Sequence, residues 1–398
     1  MKNKLIKKIF FCICFLAAVE QTNLVFSQQN SHIVITDSLL AEGINYKKKI
    51  VTINGLKHCV YVLQVDLTNP KTEIGLAKGG NSNIELARLP VMFANTFIDT
   101  LHKQIIGGIN ASFWRTYSNY PIGPTVIDGE VVEMQSFKRW TSIFFNKDGF
   151  PFMDFFTISG KIQTKNGKQI NINSVNRRRT NDGVVIYNKF SDYVIPTRIE
   201  RVSKVGYGLK KIVVRYIDEP AINTVIRCEV IDIVNYGSVQ KQENGCILSI
   251  GEDIDILLLP QIGDTIFLHY ETNIYETEIF MNAICGTPRL VRNGIAKHEA
   301  YEEGNSHSRF INGSQLRSAV GYDKGKTNLF LVTVGICKGT TGASLTQLAA
   351  IMEYLGCYSA LNLDGGSSTN MVIGGKNIMD GTTSRKLSVG LVVLSLQK

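Results

Sequence analysis

The sequence has little of what metal enzymes and nucleic-acid-binding proteins usually need. Histidine occurs only six times in 398 residues, and no H-E-x-x-H or C-x-x-C pattern is present, which disfavours the common zinc sites. Charged residues make up 19%, and the net charge of +9 forms no dense basic stripe beyond the triplet 177–179. Nucleic-acid-binding proteins usually concentrate positive charge on one face, so no nucleic-acid partner is expected.

Long hydrophobic runs are also scarce, and the one near the start is short. Residues 9–18 are apolar and follow a basic stretch. Ten residues span about 15 Å as a helix, half the thickness of a bilayer core. With a plausible cleavage site before Gln28, the pattern predicts a signal peptide over 1–27 and export to the periplasm or beyond the cell. The alternative is a buried first strand or helix. No transmembrane segment is expected after the signal peptide.

Cysteines are few and widely spaced once the apolar run is set aside. Six remain in the rest of the chain: Cys59, Cys228, Cys246, Cys285, Cys337 and Cys357. Export permits disulfides, but each cysteine has apolar neighbours, where a buried free thiol is equally ordinary. Whether any disulfide forms is left open.

What the sequence does contain is a long series of strand patterns with few helices. A turn signal at Asn54 and Gly55 joins two β-branched runs, which predicts a hairpin. Residues 344–355 have helical spacing and begin with a capping-box pattern. We therefore expect an α+β fold, with a mainly antiparallel or mixed β-sheet core and a few packed helices. It forms a single large domain over 47–398, after an N-terminal lead-in at 28–46.

Two strand ends carry polar residues beside glycines. Asn110 ends an apolar run that contains a glycine pair, although a plain tight turn is the alternative. Strand alternation places Asn362 and Asp364 on one face, and the glycines after Asp364 allow a nest of backbone donors. Such a loop suits a sugar, a phosphate or a cation; the alternative is an Asx turn. The segment matches neither a P-loop nor a nucleophile elbow.

Two further positions could serve the same site. Arg317 begins an apolar strand, and its planar guanidinium suits a pair of phosphodiester oxygens, although a solvated strand-end arginine is the common case. Thr287 lies in a turn that could present its hydroxyl. His307 is the only suggestive histidine, and a Ser-His-Asp triad cannot be identified from one sequence.

These segments, in this order, resemble the phosphodiester glycosidase family from about residue 55 to 396. The family's motifs N-G-G-F-F, G-x-P-x-L-V-x-x-G, R-T-A-x-G and N-L-D-G-G-G-S are similar to residues 110–114, 286–294, 317–321 and 362–368. An N-x-x-R followed by an apolar run is similar to residues 176–179 and 184–187. The departures from the family pattern are Ala111, Ser112, Ser318 and Ser367.

The resemblance implies hydrolysis of the bond between a sugar's anomeric carbon and a phosphate. The substrate would be a sugar-1-phosphodiester of the N-acetylglucosamine type, in a cell-surface glycan or glycopolymer. Asp364 would be the nucleophile or base, and Arg317 would hold the anion and pair with Asp364. The residues assigned to substrate binding are Asn110, Thr287, Asn362, Gly365, Gly366 and Ser367. No required cofactor can be identified, and a divalent cation near Asp364 is left open.

Two other functions compete with this one. A non-catalytic envelope protein could bind glycans with the same pocket. An ordinary glycosidase would need two carboxylates about 5–9 Å apart, and Asp128 and Asp323 are weak candidates for the partner of Asp364.

Overall fold

The structure is a computed structural model that describes residues 31–80, 82, 84–96, 102–177, 182–191, 194–195, 210–235, 239–379 and 385–396. The expected signal peptide at 1–27 lies outside the described residues, as do the last two positions of the motif at 176–179. Within the described part, no helix combines the length and the apolarity needed to cross a bilayer.

Strands account for most of the described secondary structure. The first half contains β1 His32–Ala41, β2 Ile44–Ile53, β3 Leu56–Asp66, β4 Thr72–Lys78, β5 Lys103–Asn110, β6 Thr125–Ile127, β7 Glu130–Glu133, β8 Ser142–Asn146, β9 Pro151–Asp154, β10 Ile158–Gln163, β11 Gln169–Asn171, β12 Ser174–Val175, β13 Val184–Tyr187 and β14 Val194–Ile195. The second half contains β15 Lys211–Tyr216, β16 Val225–Val234, β17 Val239–Gln240, β18 Gly245–Ile250, β19 Thr265–Thr272, β20 Phe280–Cys285, β21 Arg289–Arg292, β22 Ile295–Ala296, β23 Arg317–Tyr322, β24 Asn328–Gly335, β25 Ser359–Asn362, β26 Met371–Ile373, β27 Lys376–Asn377 and β28 Val389–Leu396. The helices are α1 Leu89–Thr96, α2 Ser308–Asn312 and α3 Leu345–Tyr354, with 3₁₀ turns at Ile256–Leu258 and Gly366–Ser368.

The strands form four larger sheets and one two-stranded pair. Sheet I has the order β1-β2-β3-β24-β23-β25-β21-β22, and sheet II has the order β27-β26-β5-β28-β4. Sheet III is β7-β6-β20-β8-β9, sheet IV is β11-β10-β19-β16-β15-β18-β13-β12, and β14 pairs with β17. Almost all neighbours are antiparallel; β12 and β13 are the parallel pair among the described strands.

The expected α+β class is wrong, because the protein is mainly β. Among the described residues, strands make up 49% and helices 8%. The physical reason is that sheets cover one another: Leu63 and Leu331 of sheet I share one buried cluster with Ile109 and Leu391 of sheet II. Apolar sheet faces buried in this way need no helical layer over them.

The predicted hairpin is confirmed, and it extends further than expected. Asn54 and Gly55 have φ of 49° and 77°, as a two-residue hairpin turn requires, and they join β2 to β3. The described part of the lead-in, 31–46, forms β1 and the start of β2 at the edge of sheet I.

One disulfide resolves the question that the spacing of the cysteines left open. It joins Cys59 of β3 to Cys337, just after the neighbouring β24, with Cα atoms 5.8 Å apart and a sequence separation of 278. Four other cysteines are buried free thiols: Cys228, Cys246, Cys285 and Cys357. The bridge therefore ties the start of the described chain to its C-terminal third.

The predicted helix is confirmed as α3. Ser344 caps it by accepting from the Gln347 amide at 3.2 Å, and the Gln347 side chain accepts from the Ser344 amide at 2.9 Å. Leu345, Leu348 and Met352 are buried on its inner face, and α3 packs on β21, β22 and β2 of sheet I. The helix precedes β25, so it fixes the strand that leads to Asp364.

Candidate active site

The sequence motifs meet where three strands end or begin. Asn110 is the last residue of β5 in sheet II, Arg317 the first of β23 and Asn362 the last of β25 in sheet I. Hydrogen bonds across this junction connect the loops that follow β5 and β25. The predicted site residues therefore come together at one edge between sheets I and II.

Asp364 is held by its backbone and presents a partly buried carboxylate. Its amide donates to the carbonyl of Ala111 at 3.1 Å, and its carbonyl accepts from Asn110 Nδ2 at 2.6 Å. Burial raises the pKa of Asp364 to about 6, against the lowering effects of the Ser368 hydroxyl, the Arg385 charge and the Gly365 amide. The carboxylate is therefore ionised in most molecules at neutral pH, and it gains its proton only about one unit below that.

The Asn110 side chain links Asp364 to two neighbouring segments through hydrogen bonds. Its Oδ1 accepts from the Ser318 hydroxyl at 2.7 Å and from the Asn370 amide at 3.0 Å, while its Nδ2 donates to Asp364. The side chain is buried, so these contacts position the loop. Its contact with substrate stays a prediction. Ser318 supplies the hydroxyl that the threonine of the family motif would also carry.

Asn362 and Thr287 pair with each other. Asn362 Nδ2 donates to the Thr287 carbonyl at 2.6 Å, and the Thr287 amide donates to the Asn362 carbonyl at 2.9 Å. Asn362 Oδ1 is buried and accepts from no donor among the described residues. The Thr287 hydroxyl donates to Glu303 at 2.6 Å and accepts from Asn305 at 2.6 Å.

Glu303 is a buried carboxylate that the sequence gave no reason to single out. It accepts from the Thr141 hydroxyl at 2.6 Å, the Thr287 hydroxyl at 2.6 Å and the Arg289 amide at 2.8 Å. Burial raises the pKa of Glu303, and these donors lower it. It follows Glu302 in a polar stretch that resembles a solvated loop, so no local signal distinguishes it. Because three donors already bind the Glu303 carboxylate, its role here is structural: it holds Thr287 in place.

Arg317 is buried to 1% exposure and is occupied by backbone oxygens. Its Nε donates to the Ala343 carbonyl at 2.9 Å, and its Nη2 donates to the carbonyls of Phe310 at 2.7 Å and Gly313 at 3.1 Å. Burial lowers the pKa of Arg317 to about 10. The expected pairing of Arg317 with Asp364 is not formed within ion-pair distance among the described residues, and the cation that acts on the Asp364 pKa is Arg385.

The glycines after Asp364 let the loop approach β23 closely. A Cβ on Gly365 would lie 3.0 Å from the Leu316 carbonyl, and the Gly366 amide donates to that same carbonyl at 2.8 Å. Gly366 has φ of +59°, which favours glycine. Ser367 is exposed at the tip and accepts from Arg385 Nη1 at 2.8 Å. Arg385 was missed because it belongs to no motif.

A cavity of about 320 Å³ adjoins these loops. It is lined by Phe113, Trp140 and Phe310 together with Thr287 and polar residues that include Lys138, Asn305 and His307. The Phe113 and Trp140 rings meet edge to face with centroids 5.4 Å apart. Aromatic walls with a few polar groups are typical of small-molecule sites and suit a sugar ring.

Several buried polar atoms near Asp364 have no partner among the described residues. They are Ser112 Oγ, Asn362 Oδ1, Thr369 Oγ1, Asn370 Oδ1 and, in the cavity wall, Trp140 Nε1. Buried polar atoms are nearly always paired, so such a group beside a cavity indicates a place for a ligand or water.

Other candidates are not gathered here. Asp323 is used in the turn between β23 and β24, where it accepts from the Thr327 amide at 2.8 Å. Asp128 occupies the turn between β6 and β7. Across the described residues, no group of three or more His, Cys, Asp or Glu side chains is placed to hold a metal ion. Whether a divalent cation binds near Asp364 stays open, as it was from the sequence.

Comparison with solved structures shows the class of fold. A hypothetical protein from Synechocystis aligns with a TM-score of 0.67 at 21% identity, over 91% of this chain and 64% of that one. A protein from Burkholderia pseudomallei described as a candidate exported protein aligns with a TM-score of 0.63 at 15% identity, over 93% and 97%. The multi-sheet β architecture is thus shared with these two proteins.

Sequence comparison adds a match to one family over the C-terminal part of the chain. Residues 238–394 match the model of the phosphodiester glycosidase family, which confirms the resemblance over this region. Bovine N-acetylglucosamine-1-phosphodiester alpha-N-acetylglucosaminidase is 32% identical over 114 residues, or 26% of this chain. The match spans about a fifth, 21%, of the length of that relative.

Proposed function

We propose that the protein is an exported hydrolase that cleaves a sugar-1-phosphodiester between the anomeric carbon and the phosphate oxygen. The observation that carries the proposal is the partly buried Asp364 carboxylate, whose backbone carbonyl is held by Asn110 at the junction of sheets I and II. The family match over residues 238–394 supports the type of bond.

The proposed reaction asks for stabilisation more than for proton donation. The anomeric C–O bond breaks, its electron pair leaves with the phosphate monoester, and water supplies the hydroxyl of the released sugar and one proton. The phosphate is a good leaving group, so one carboxylate suffices, as nucleophile or as base towards water. Asp364 takes that role in the proposal, and the buried, unpartnered Asn362 Oδ1 and Ser112 Oγ support a polar ligand near it.

The environment of Glu303 counts against an ordinary two-carboxylate glycosidase. Glu303 is a buried carboxylate that contacts the cavity-lining Thr287, but three donors already occupy it. A general acid would have to give up those contacts to meet a leaving group. A glycan-binding protein without activity remains the second candidate, because the aromatic cavity serves it equally well.

Export is supported by the disulfide as well as by the N-terminal pattern. Disulfides form and persist mainly in oxidising compartments. The Cys59–Cys337 bridge would form there, in the periplasm or outside the cell. Mass spectrometry of material from the source organism should find a mature N-terminus near Gln28; an intact Met1 would contradict export.

The decisive experiment is a release assay on a panel of sugar-1-phosphodiesters, with and without chelator, performed in ¹⁸O-labelled water. The expected result is free sugar that carries ¹⁸O, with none in the phosphate monoester. Label in the phosphate would show P–O cleavage and overturn the proposed bond. Binding without release, in wild-type protein that is folded, would favour the glycan-binding function. Loss of activity with chelator would add a metal requirement.

A further inference from the structure

A phosphodiester substrate needs a cation with free donors, and two of the three guanidinium nitrogens of Arg317 are already engaged by backbone carbonyls, which leaves only Nη1. The Nε and Nη2 donors that would form its two-pronged contact already serve three backbone carbonyls, and the side chain is buried. Redirecting them would leave those buried carbonyls without donors, which is costly. A two-pronged contact to the phosphodiester would therefore suit another cation at the mouth of the site better than Arg317.

Arg385 has the required position. It is exposed, its Nη1 donates to Ser367 Oγ at 2.8 Å, and its guanidinium carbon lies 5.2 Å from the centroid of the Trp114 ring. These two contacts belong to the loops after β25 and β5 that also hold Asp364. Among the described residues, no carboxylate lies within ion-pair distance of Arg385.

Its contacts leave the guanidinium usable. The cation–π contact with Trp114 does not consume the N–H donors of Arg385, and Ser367 takes only one of the five. A held guanidinium loses little freedom when it binds an anion, and its fork matches two phosphate oxygens. The charge of Arg385 also acts on Asp364, because it lowers the pKa of that carboxyl.

We propose that Arg385, held between Trp114 and Ser367, is the residue that binds the phosphodiester group and selects charged substrates over neutral glycosides. The inference rests on the proposed function. It assigns the phosphate to the Arg385 side of Asp364 and leaves the aromatic cavity of Phe113, Trp140 and Phe310 for the sugar or its aglycone.

The test compares Arg385→Ala and Arg385→Lys with Lys386→Ala, a matched control in which the neighbouring exposed cation is removed. KM for an active sugar-1-phosphodiester should rise roughly 10- to 100-fold in Arg385→Ala, by less in Arg385→Lys, and hardly in Lys386→Ala. The acid limb of the pH–rate profile should move to higher pH in Arg385→Ala alone, because the charge that favours ionised Asp364 is gone.

Binding to an inactive background separates recognition from chemistry. In the Asp364→Asn background, calorimetry should show that adding Arg385→Ala weakens the binding of the phosphodiester. Its affinity should fall to about that of the corresponding neutral methyl glycoside for the Asp364→Asn protein that keeps Arg385. If the wild type is active and Arg385→Ala matches Lys386→Ala in KM, pH profile and affinity, the inference is overturned while the proposed function stands. If wild-type protein releases no sugar from any phosphodiester, the proposed function itself fails.

Discussion

Replacing Asp364 by asparagine should cost activity and increase stability. Asparagine keeps the size of the side chain and can still accept from the Ser368 hydroxyl or the Gly365 amide, but it carries no charge. Turnover should fall by about three orders of magnitude or more, because neither nucleophile nor base remains, while the substrate still binds. If the carboxylate only capped its own turn, asparagine would serve well and activity would stay within a few-fold.

The gain in stability follows from the pKa of Asp364. Burial raises that pKa from 3.8 to about 6, so the unfolded chain ionises more readily than the folded one. Two pKa units correspond to about 3 kcal/mol of unfolding free energy. The penalty is absent below pH 3.8, grows between 3.8 and 6, and is complete above 6. The asparagine variant should therefore gain up to about 3 kcal/mol at pH 7.5 and less than about 1 kcal/mol at pH 4.

Urea unfolding followed by circular dichroism at the two pH values measures the stability, and single-turnover rates measure the chemistry. The exposed Asp148→Asn provides the matched control, for which no pH-dependent difference is expected. Equal stability differences at pH 4 and pH 7.5 would refute the argument from burial. Near-wild-type rates would remove Asp364 from the chemistry and make glycan binding the better function.

Three further changes test the framework around the site. Arg317→Lys should lower the free energy of unfolding by about 2–4 kcal/mol, because a single ammonium cannot serve all three carbonyls. A large rise in KM at unchanged thermal stability would instead place Arg317 against the substrate. The double variant Cys59→Ser, Cys337→Ser should lose about 3–5 kcal/mol in denaturant titrations, and the wild type should lose a similar amount on reduction; equal stability with and without reductant would contradict a formed bridge. Ser344→Ala should cost about 1 kcal/mol through the lost cap of α3 and leave kcat unchanged, whereas a fall in kcat would show that α3 bears on the chemistry.

Local signals in the sequence were sufficient for some elements. The Asn54–Gly55 turn and the Ser344 cap depend on residues within a few positions of one another, so the pattern determines them. The same holds for the glycines after Asp364, whose conformation the motif specifies. The edge strand β1 was missed because it was grouped with the polar residues before it, although its own run Ile33, Val34 and Ile35 favours a strand.

Long-range contacts explain what the sequence could not predict. The carbonyls that occupy Arg317 come from α2, from the loop after it and from the segment before α3, and none of them is visible in the strand that begins with Arg317. Arg385 reaches Trp114 across 271 positions, read from the two residue numbers, and no motif marks it. The class of fold depended in the same way on sheets packing against sheets.

Because of the hydrogen bonds of the Asn110 side chain, the candidate active site needs residues from distant parts of the chain. These three hydrogen bonds reach Ser318, Asp364 and Asn370, which are 208, 254 and 260 residues away. The region that matches the family model, 238–394, contains every partner but not Asn110 itself. A fragment with those limits would contain the Asp-Gly-Gly loop but would lack the Asn110 side-chain amide that donates to the Asp364 carbonyl. During synthesis or translocation, the chain would likewise have no site until almost its last strand had emerged and docked, so any activity would begin late in folding.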